Sequence, residues 1–138
     1  MSEVVRLSFS IEKALNGKLE ELVRASRYKN RSEFIRDLIR SKLVETEWKK
    51  GEVAFGTITF IYDHHYRGLS DKLIELQHHH HSEILAATHV HLSHDLCAEV
   101  ILVKGKASEI REMSDLIRQQ KGVLHASLSM SSTGRKLQ

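Results

Sequence analysis

The sequence predicts an α+β fold in two parts: a dimeric two-stranded ribbon with two helices, then a βαββαβ ferredoxin-like sandwich. Three observations predict it. "VVRLSFSI" alternates apolar and polar residues, the periodicity of a strand. Two stretches with apolar residues at helical spacing follow it. Beyond Gly51 the periodicities switch between strand and helix in the order β-α-β-β-α-β, a split βαβ arrangement with helices on one face of an antiparallel sheet.

In the first part, Val5, Leu7, Phe9 and Ile11 share one strand face, with Arg6, Ser8 and Ser10 on the other. Leu15, Leu19, Leu22 and Val23 predict a helix from about Glu12 to Ser26. "RYKN" breaks it, and Asn30 followed by Glu33 fits an N-cap with a returning carboxylate. Phe34, Ile35, Leu38, Ile39 and Leu43 give the second helix a broad apolar stripe. One strand and two helices bury too little surface to fold alone, and a lone strand has both backbone edges unpaired. Pairing with the same strand of a second chain answers both needs, so this part is an obligate dimer.

"TEWKKGEV" links the parts, which sets the domains at 1–48 and 53–132. Ile58, Phe60 and Tyr62 alternate in a strand, and Leu69, Leu73 and Leu76 mark a helix. "ILAATHVHL" and "AEVILVKG" read as strands joined around "SHDL". Ile110, Met113, Leu116 and Ile117 mark another helix, and Leu124, Ala126, Leu128 and Met130 alternate in a last strand. Proline is absent, so glycines punctuate the boundaries.

Composition narrows the function classes. The 138 residues suit one ordinary domain or two very small ones. No apolar stretch approaches membrane-spanning length, no secretory leader pattern is present, and a single cysteine forms no intrachain disulfide. A soluble, cytoplasmic protein is expected. The formal charge is +3, but residues 1–50 carry 12 Lys/Arg against 8 Asp/Glu while residues 51–138 carry 9 against 10. A polyanion partner is therefore expected for the first part alone.

The segment "QHHHHSEILAATHVHLSHDLC" holds seven of the ten histidines and the only cysteine. His89 and His91 are two apart on a strand, so both imidazoles project from one face. The turn after His91 brings Cys97 onto the neighbouring strand, close to both. Imidazole with thiolate suits borderline divalent ions. A fourth donor is expected from the run at 78–81, where at most one or two side chains can address one ion, or from a neighbouring subunit. A tetrahedron of these donors suits zinc, and a plane suits Ni(II) or Cu(II). Either way the site is filled, which argues against an enzyme, and no P-loop, H-E-x-x-H or G-x-S-x-G is present. Glu99, on the same strand face as Cys97, either solubilises the surface or hydrogen-bonds a ligand imidazole. No role follows from the sequence for His64, His65, His79, His80, His81 or His94.

The ribbon carries the other chemistry. Arg6, Ser8 and Ser10 face outward in a row, and a ribbon of this width fits the DNA major groove. Asn30, Arg31 and Ser32, at the N-terminus of the second helix, present free N–H groups and a positive dipole end to a phosphate. Arg24, Arg27, Lys29 and Arg31 add sequence-independent attraction.

"RLSFSI", "NRSEFIRDLIRS", "QHHHHSEILAATHVHLSHDLCAEV" and "ILVKG", in this order and spacing, resemble the NikR family of nickel-responsive ribbon-helix-helix repressors. The resemblance covers nearly the whole chain. It implies an N-terminal ribbon-helix-helix domain and an ACT-like C-terminal domain in a homotetramer, a dimer of dimers. It also implies one square-planar Ni(II) per subunit, held by His89, His91 and Cys97 of one subunit and His78 of another. Arg6, Ser8 and Ser10 would read bases of a palindromic operator, controlling nickel uptake genes, and Glu33 with Asp37 would contribute to an interdomain cation site. Three positions depart from the family's habit: Arg27 where glycine is common, Thr88 for Leu, and Ala98 for Leu. Arg27 would cost about 1 kcal/mol in a left-handed conformation. The alternative functions are a zinc or copper buffering protein without sequence-specific DNA binding, and an ACT-like sensor of a small organic ligand.

Overall fold

The computed structural model describes residues 3–80 and 83–138. The chain forms two compact units, 1–43 with 137–138, and Val44–Lys136.

In the first unit, α1 spans Lys13–Ala25, and α2 begins at Arg31 and runs to Lys49, beyond the unit's limit. Asn30 caps α2: its Oδ1 accepts the Glu33 amide hydrogen at 3.0 Å, the bond expected from the Asn-x-x-Glu spacing. Arg27 ends α1 in the left-handed region at φ 59°. The Arg27 amide donates to Arg24 O at 3.1 Å and the Tyr28 amide to Val23 O at 3.2 Å, the paired bonds of a Schellman close. The non-glycine departure is thus accommodated with the backbone geometry kept. Tyr28 then packs edge-on against Phe34, with ring centroids 5.4 Å apart.

Residues 3–12 form no strand within the chain. Val5, Leu7 and Phe9 are 71, 82 and 64% exposed, so the face expected to be buried has nothing over it in one chain. The physical reason is the one that predicts a dimer: a strand exists only as part of a ladder, and this segment has no partner inside its own chain. Leu15, Leu22, Leu38 and Ile39 are exposed with it.

The second unit has the predicted order. It comprises β1 (Val53–Asp63), α3 (Leu69–His79), β2 (Glu83–His91), β3 (Leu96–Lys106), α4 (Ala107–Gln119) and β4 (Val123–Met130). The sheet is antiparallel in order β2-β3-β1-β4, with β2 and β4 at its edges. Ile58, Phe60 and Tyr62 of β1 and Cys97, Ile101 and Val103 of β3 are buried on one face. They pack with Leu69 and Leu73 of α3 and Ile110, Met113 and Ile117 of α4. Each fully buried side chain of this size stabilises by about 1.5–3 kcal/mol relative to exposure. Trp48 joins the same core, and its Nε1 donates to Ser131 O at 2.7 Å. Gly56 makes room for it, since a Cβ there would meet Trp48 ring carbons at 3.2 Å and Ser129 O at 3.0 Å. A register shift between Ile84 and Ala86 lets both Ile84 and Ala87 face the core side, opposite Val103 and Ile101.

Candidate metal centre and nucleic-acid interface

The sheet register builds the candidate metal centre. His91 lies opposite Cys97 and His89 opposite Glu99 across β2 and β3, while Tyr62 lies opposite Cys97 and Phe60 opposite Glu99 across β3 and β1. Directly paired residues share a face, so these side chains crowd one end of the helix-covered side. Cys97 is fully buried, and its Sγ lies 3.2 Å from His91 Nδ1. Nitrogen and sulfur adjacent on one cation are about 3.1–3.6 Å apart at typical zinc bond lengths. The observed separation fits donors to one ion.

Among the described residues, His64, which follows β1, joins this pair. One donor atom each from His64, His91 and Cys97 lies within 4.8 Å of the others. His89 is adjacent to that set rather than in it: its ring centroid is 5.2 Å from that of His91, and its Nδ1 is 3.3 Å from the Tyr62 hydroxyl. Burial pushes the Tyr62 phenol up to about 12, with the nearby negative groups Glu99 and Cys97 adding to the shift. The hydroxyl therefore stays neutral. When it accepts an Nδ1–H from His89, the Nε2 lone pair is left for an ion. Burial also raises the Glu99 carboxyl above the ordinary carboxylate range, against the pull of His89 and a hydrogen bond with Gln77. Glu99 thus stands beside a histidine of the site.

His78 lies in the last turn of α3 and lines a separate groove with Ile74, Gln77 and Ile84, outside the donor sets that converge among the described residues. His79 is 3.8 Å from Glu75, and His80 caps the helix. His81, part of the run expected to supply a fourth donor, lies outside the described residues. Sequence reasoning missed His64 and Tyr62. The His64-His65 pair after a predicted strand is the one signal that pointed there; the register that places them is not local.

On the first unit, Arg6, Ser8 and Ser10 are exposed, as are Asn30, Arg31 and Ser32. Arg31 pairs with Glu20 at 3.3 Å, an exposed contact worth little and easily exchanged for a phosphate. Glu33 and Asp37 line an open groove with Tyr28, Arg36 and Arg40. There the Tyr28 hydroxyl donates to Asp37 Oδ2, and that bond with the neighbouring carboxylate charge raises the phenol's pKa.

Residues 55–131 match the family description "NikR C terminal nickel binding domain", and residues 5–46 match "Ribbon-helix-helix protein, copG family". The chain belongs to the NikR family. Relatives in this family span its whole length. Those from Geotalea uraniireducens (strain Rf4) and Geobacter metallireducens (strain ATCC 53774 / DSM 7210 / GS-15) are 47% and 48% identical over 138 residues, covering 99% of each chain. Both carry the provisional name nickel-responsive regulator. A solved structure of an uncharacterized protein from Thermotoga maritima is 18% identical, with a TM-score of 0.51 over 57% of this chain and 98% of that one. It speaks to the fold alone. As a NikR-family member, the chain is a nickel-responsive transcription regulator and not an enzyme, with a ribbon-helix-helix DNA-binding module and a C-terminal nickel-binding module. Among the described residues no helix is long and apolar enough to cross a membrane.

Proposed function

We propose that the protein is a cytoplasmic repressor of nickel uptake genes that grips a palindromic operator when Ni(II) is bound. In this reading residues 1–48 bind DNA and residues 53–132 bind metal and assemble the tetramer. His89, His91 and Cys97 of one subunit with His78 of another hold one Ni(II) per subunit. The observation that carries it is the 3.2 Å approach of Cys97 Sγ to His91 Nδ1, with His89 alongside. His78 is compatible with it: it lies in the last turn of α3, outside the donor sets that converge among the described residues, and so is left for a second chain. Bound Ni(II) would join two subunits through its donors. Glu99, beside His89 and bonded to Gln77, orients the site.

At the DNA end, Arg6, Ser8 and Ser10 read base edges once two chains form the ribbon. Asn30, Arg31 and Ser32 hold a phosphate at the start of α2. Glu33 and Asp37 would take part in an interdomain cation site. Coupling obeys reciprocity: if nickel raises operator affinity by some factor, operator raises nickel affinity by the same factor.

The test begins with DNA selected from random sequence by the nickel-loaded protein, then measures affinity with and without Ni(II) at one salt concentration. Affinity that nickel leaves unchanged refutes the regulatory reading. Arg6→Ala should abolish discrimination between selected and scrambled DNA; a silent variant would favour a zinc or copper buffering protein instead. A thiolate-to-nickel charge-transfer band should appear on loading and vanish in Cys97→Ala.

A further inference from the structure

Beyond β4 the chain folds back onto the end of α2. Ser131, the first residue after the strand, donates its amide hydrogen to Phe55 O at 2.9 Å, and its carbonyl accepts the Trp48 Nε1 hydrogen at 2.7 Å. Further on, Lys136 Nζ is 2.7 Å from Glu52 Oε2. All of these residues belong to the second unit, Val44–Lys136. We propose that Ser131–Lys136 is a latch on the last turn of α2, poised to open, and that its closure is needed for bound nickel to change DNA affinity.

The latch supplies what the buried end of the helix lacks. Trp48 is 3% exposed, Gly56 leaves space for its ring, and the Arg111 guanidinium lies 5.7 Å from the ring centroid. An indole N–H needs an acceptor once buried, and Ser131 O provides it. Glu47, the preceding residue, is 5% exposed, and its Oε2 is buried without a hydrogen-bond partner among the described residues. A buried carboxylate is costly unless a nearby cation offsets its charge. Lys136 brings that cation: its pKa is raised chiefly by the hydrogen bond to Glu52, and the Glu47 charge adds to the rise.

The same contacts make the latch easy to release. Residues 131–136 contain no helix or strand, and the segment is turned by Gly134, at φ 81°, whose amide donates to Ser132 Oγ at 3.0 Å. The Lys136 and Glu52 side chains are 63 and 31% exposed, and an ion pair so open to water is weak. Segments held by few buried apolar contacts are the first to open locally. The place of the latch along the chain gives it a role. α2 is one helix from Arg31, at the phosphate-binding end, to Lys49. β1 meets the latch at Phe55 and ends at Asp63, beside His64 of the candidate metal centre. With the latch open, the last turn of α2 loses its polar ties to that sheet, and a change at the metal end of β1 no longer reaches the helix. The role rests on the reading that Ni(II) raises DNA affinity.

The test compares the full-length protein with a chain ended after Ser132, with Lys136→Glu, and with the charge exchange Glu52→Lys plus Lys136→Glu. Trp48 is the only tryptophan, so its emission reports the latch directly. Truncation and Lys136→Glu should shift that emission to longer wavelength and make it easier to quench with acrylamide. Both should keep the thiolate band and the nickel affinity measured without DNA. The factor by which nickel raises affinity for the selected DNA should fall by about fivefold or more, the low end of couplings between two sites. The charge exchange should restore the emission and the nickel response together. Emission or a nickel response that matches the parent in both the truncation and Lys136→Glu overturns the proposal, as does a charge exchange that restores neither. A response lost together with the thiolate band in every variant would mean a damaged fold, and also overturns it. A parent without a nickel response overturns the regulatory reading and the latch with it, whereas a responsive parent with equally responsive variants overturns the latch alone.

Discussion

Tyr62→Phe tests whether the hydroxyl beside His89 positions a metal ligand. The change removes one oxygen from a residue that is 3% exposed. It keeps the ring, whose centroid lies 5.8 Å from Phe60 and 6.0 Å from His89. Packing should survive, and the folded chain should lose less than about 1.5 kcal/mol, the range for one net hydrogen bond. At 3.3 Å the bond to His89 Nδ1 is long. His89 is exposed, so water can replace the phenol. The lower half of that range, about 0.5–1 kcal/mol, is therefore the expected loss in metal binding, a factor of about two to five in nickel affinity. Competition against a chelator of known strength, read through the thiolate band, measures it. Unchanged affinity would refute a positioning role. A loss of a hundredfold would mean that the tyrosine does more than orient one imidazole.

Three further outcomes are expected. Arg27→Gly should raise stability to urea by about 0.5–1 kcal/mol, because the left-handed penalty removed exceeds glycine's extra entropy in the unfolded chain; a destabilised variant would show that the Arg27 side chain contributes contacts of its own. Gly56→Ala should lower stability by about 1–3 kcal/mol, since Trp48 is anchored through Ser131 and must give way; a neutral result would mean the core yields there at little cost. The Lys136–Glu52 bridge at 2.7 Å lowers the Glu52 pKa from 4.5 and raises the Lys136 pKa from 10.5. Its contribution is present above pH 4.5, lost as pH falls through the depressed Glu52 value, and lost again as pH rises through the elevated Lys136 value. Glu52→Gln should therefore differ from the parent in stability at pH 7 and converge with it in acid, once the depressed Glu52 carboxyl is protonated; a gap that persists there would assign the effect to something other than charge.

Part of the site is legible in the sequence. The Asn30 cap is readable because it depends on four consecutive residues, and the His91–Cys97 approach because two strands joined by a short turn have little freedom of register. His64 and Tyr62 are not, since each reaches the site through β1, whose pairing with β3 runs over residues more than thirty positions apart. The separation of His78 from the converging donors also lies beyond the sequence, which says only that a helix ends near it.

By itself the sequence determined the kinds of elements, their order and the chemistry of the donors. All follow from periodicity, local spacing and composition. Only the tertiary structure decided which donors converge: His64 with His91 and Cys97, His89 against Tyr62, and His65 with His94 and Asp95. Side-chain direction within a strand follows from local periodicity, but which strands lie side by side, and in what register, follows from burying a whole sheet face at once.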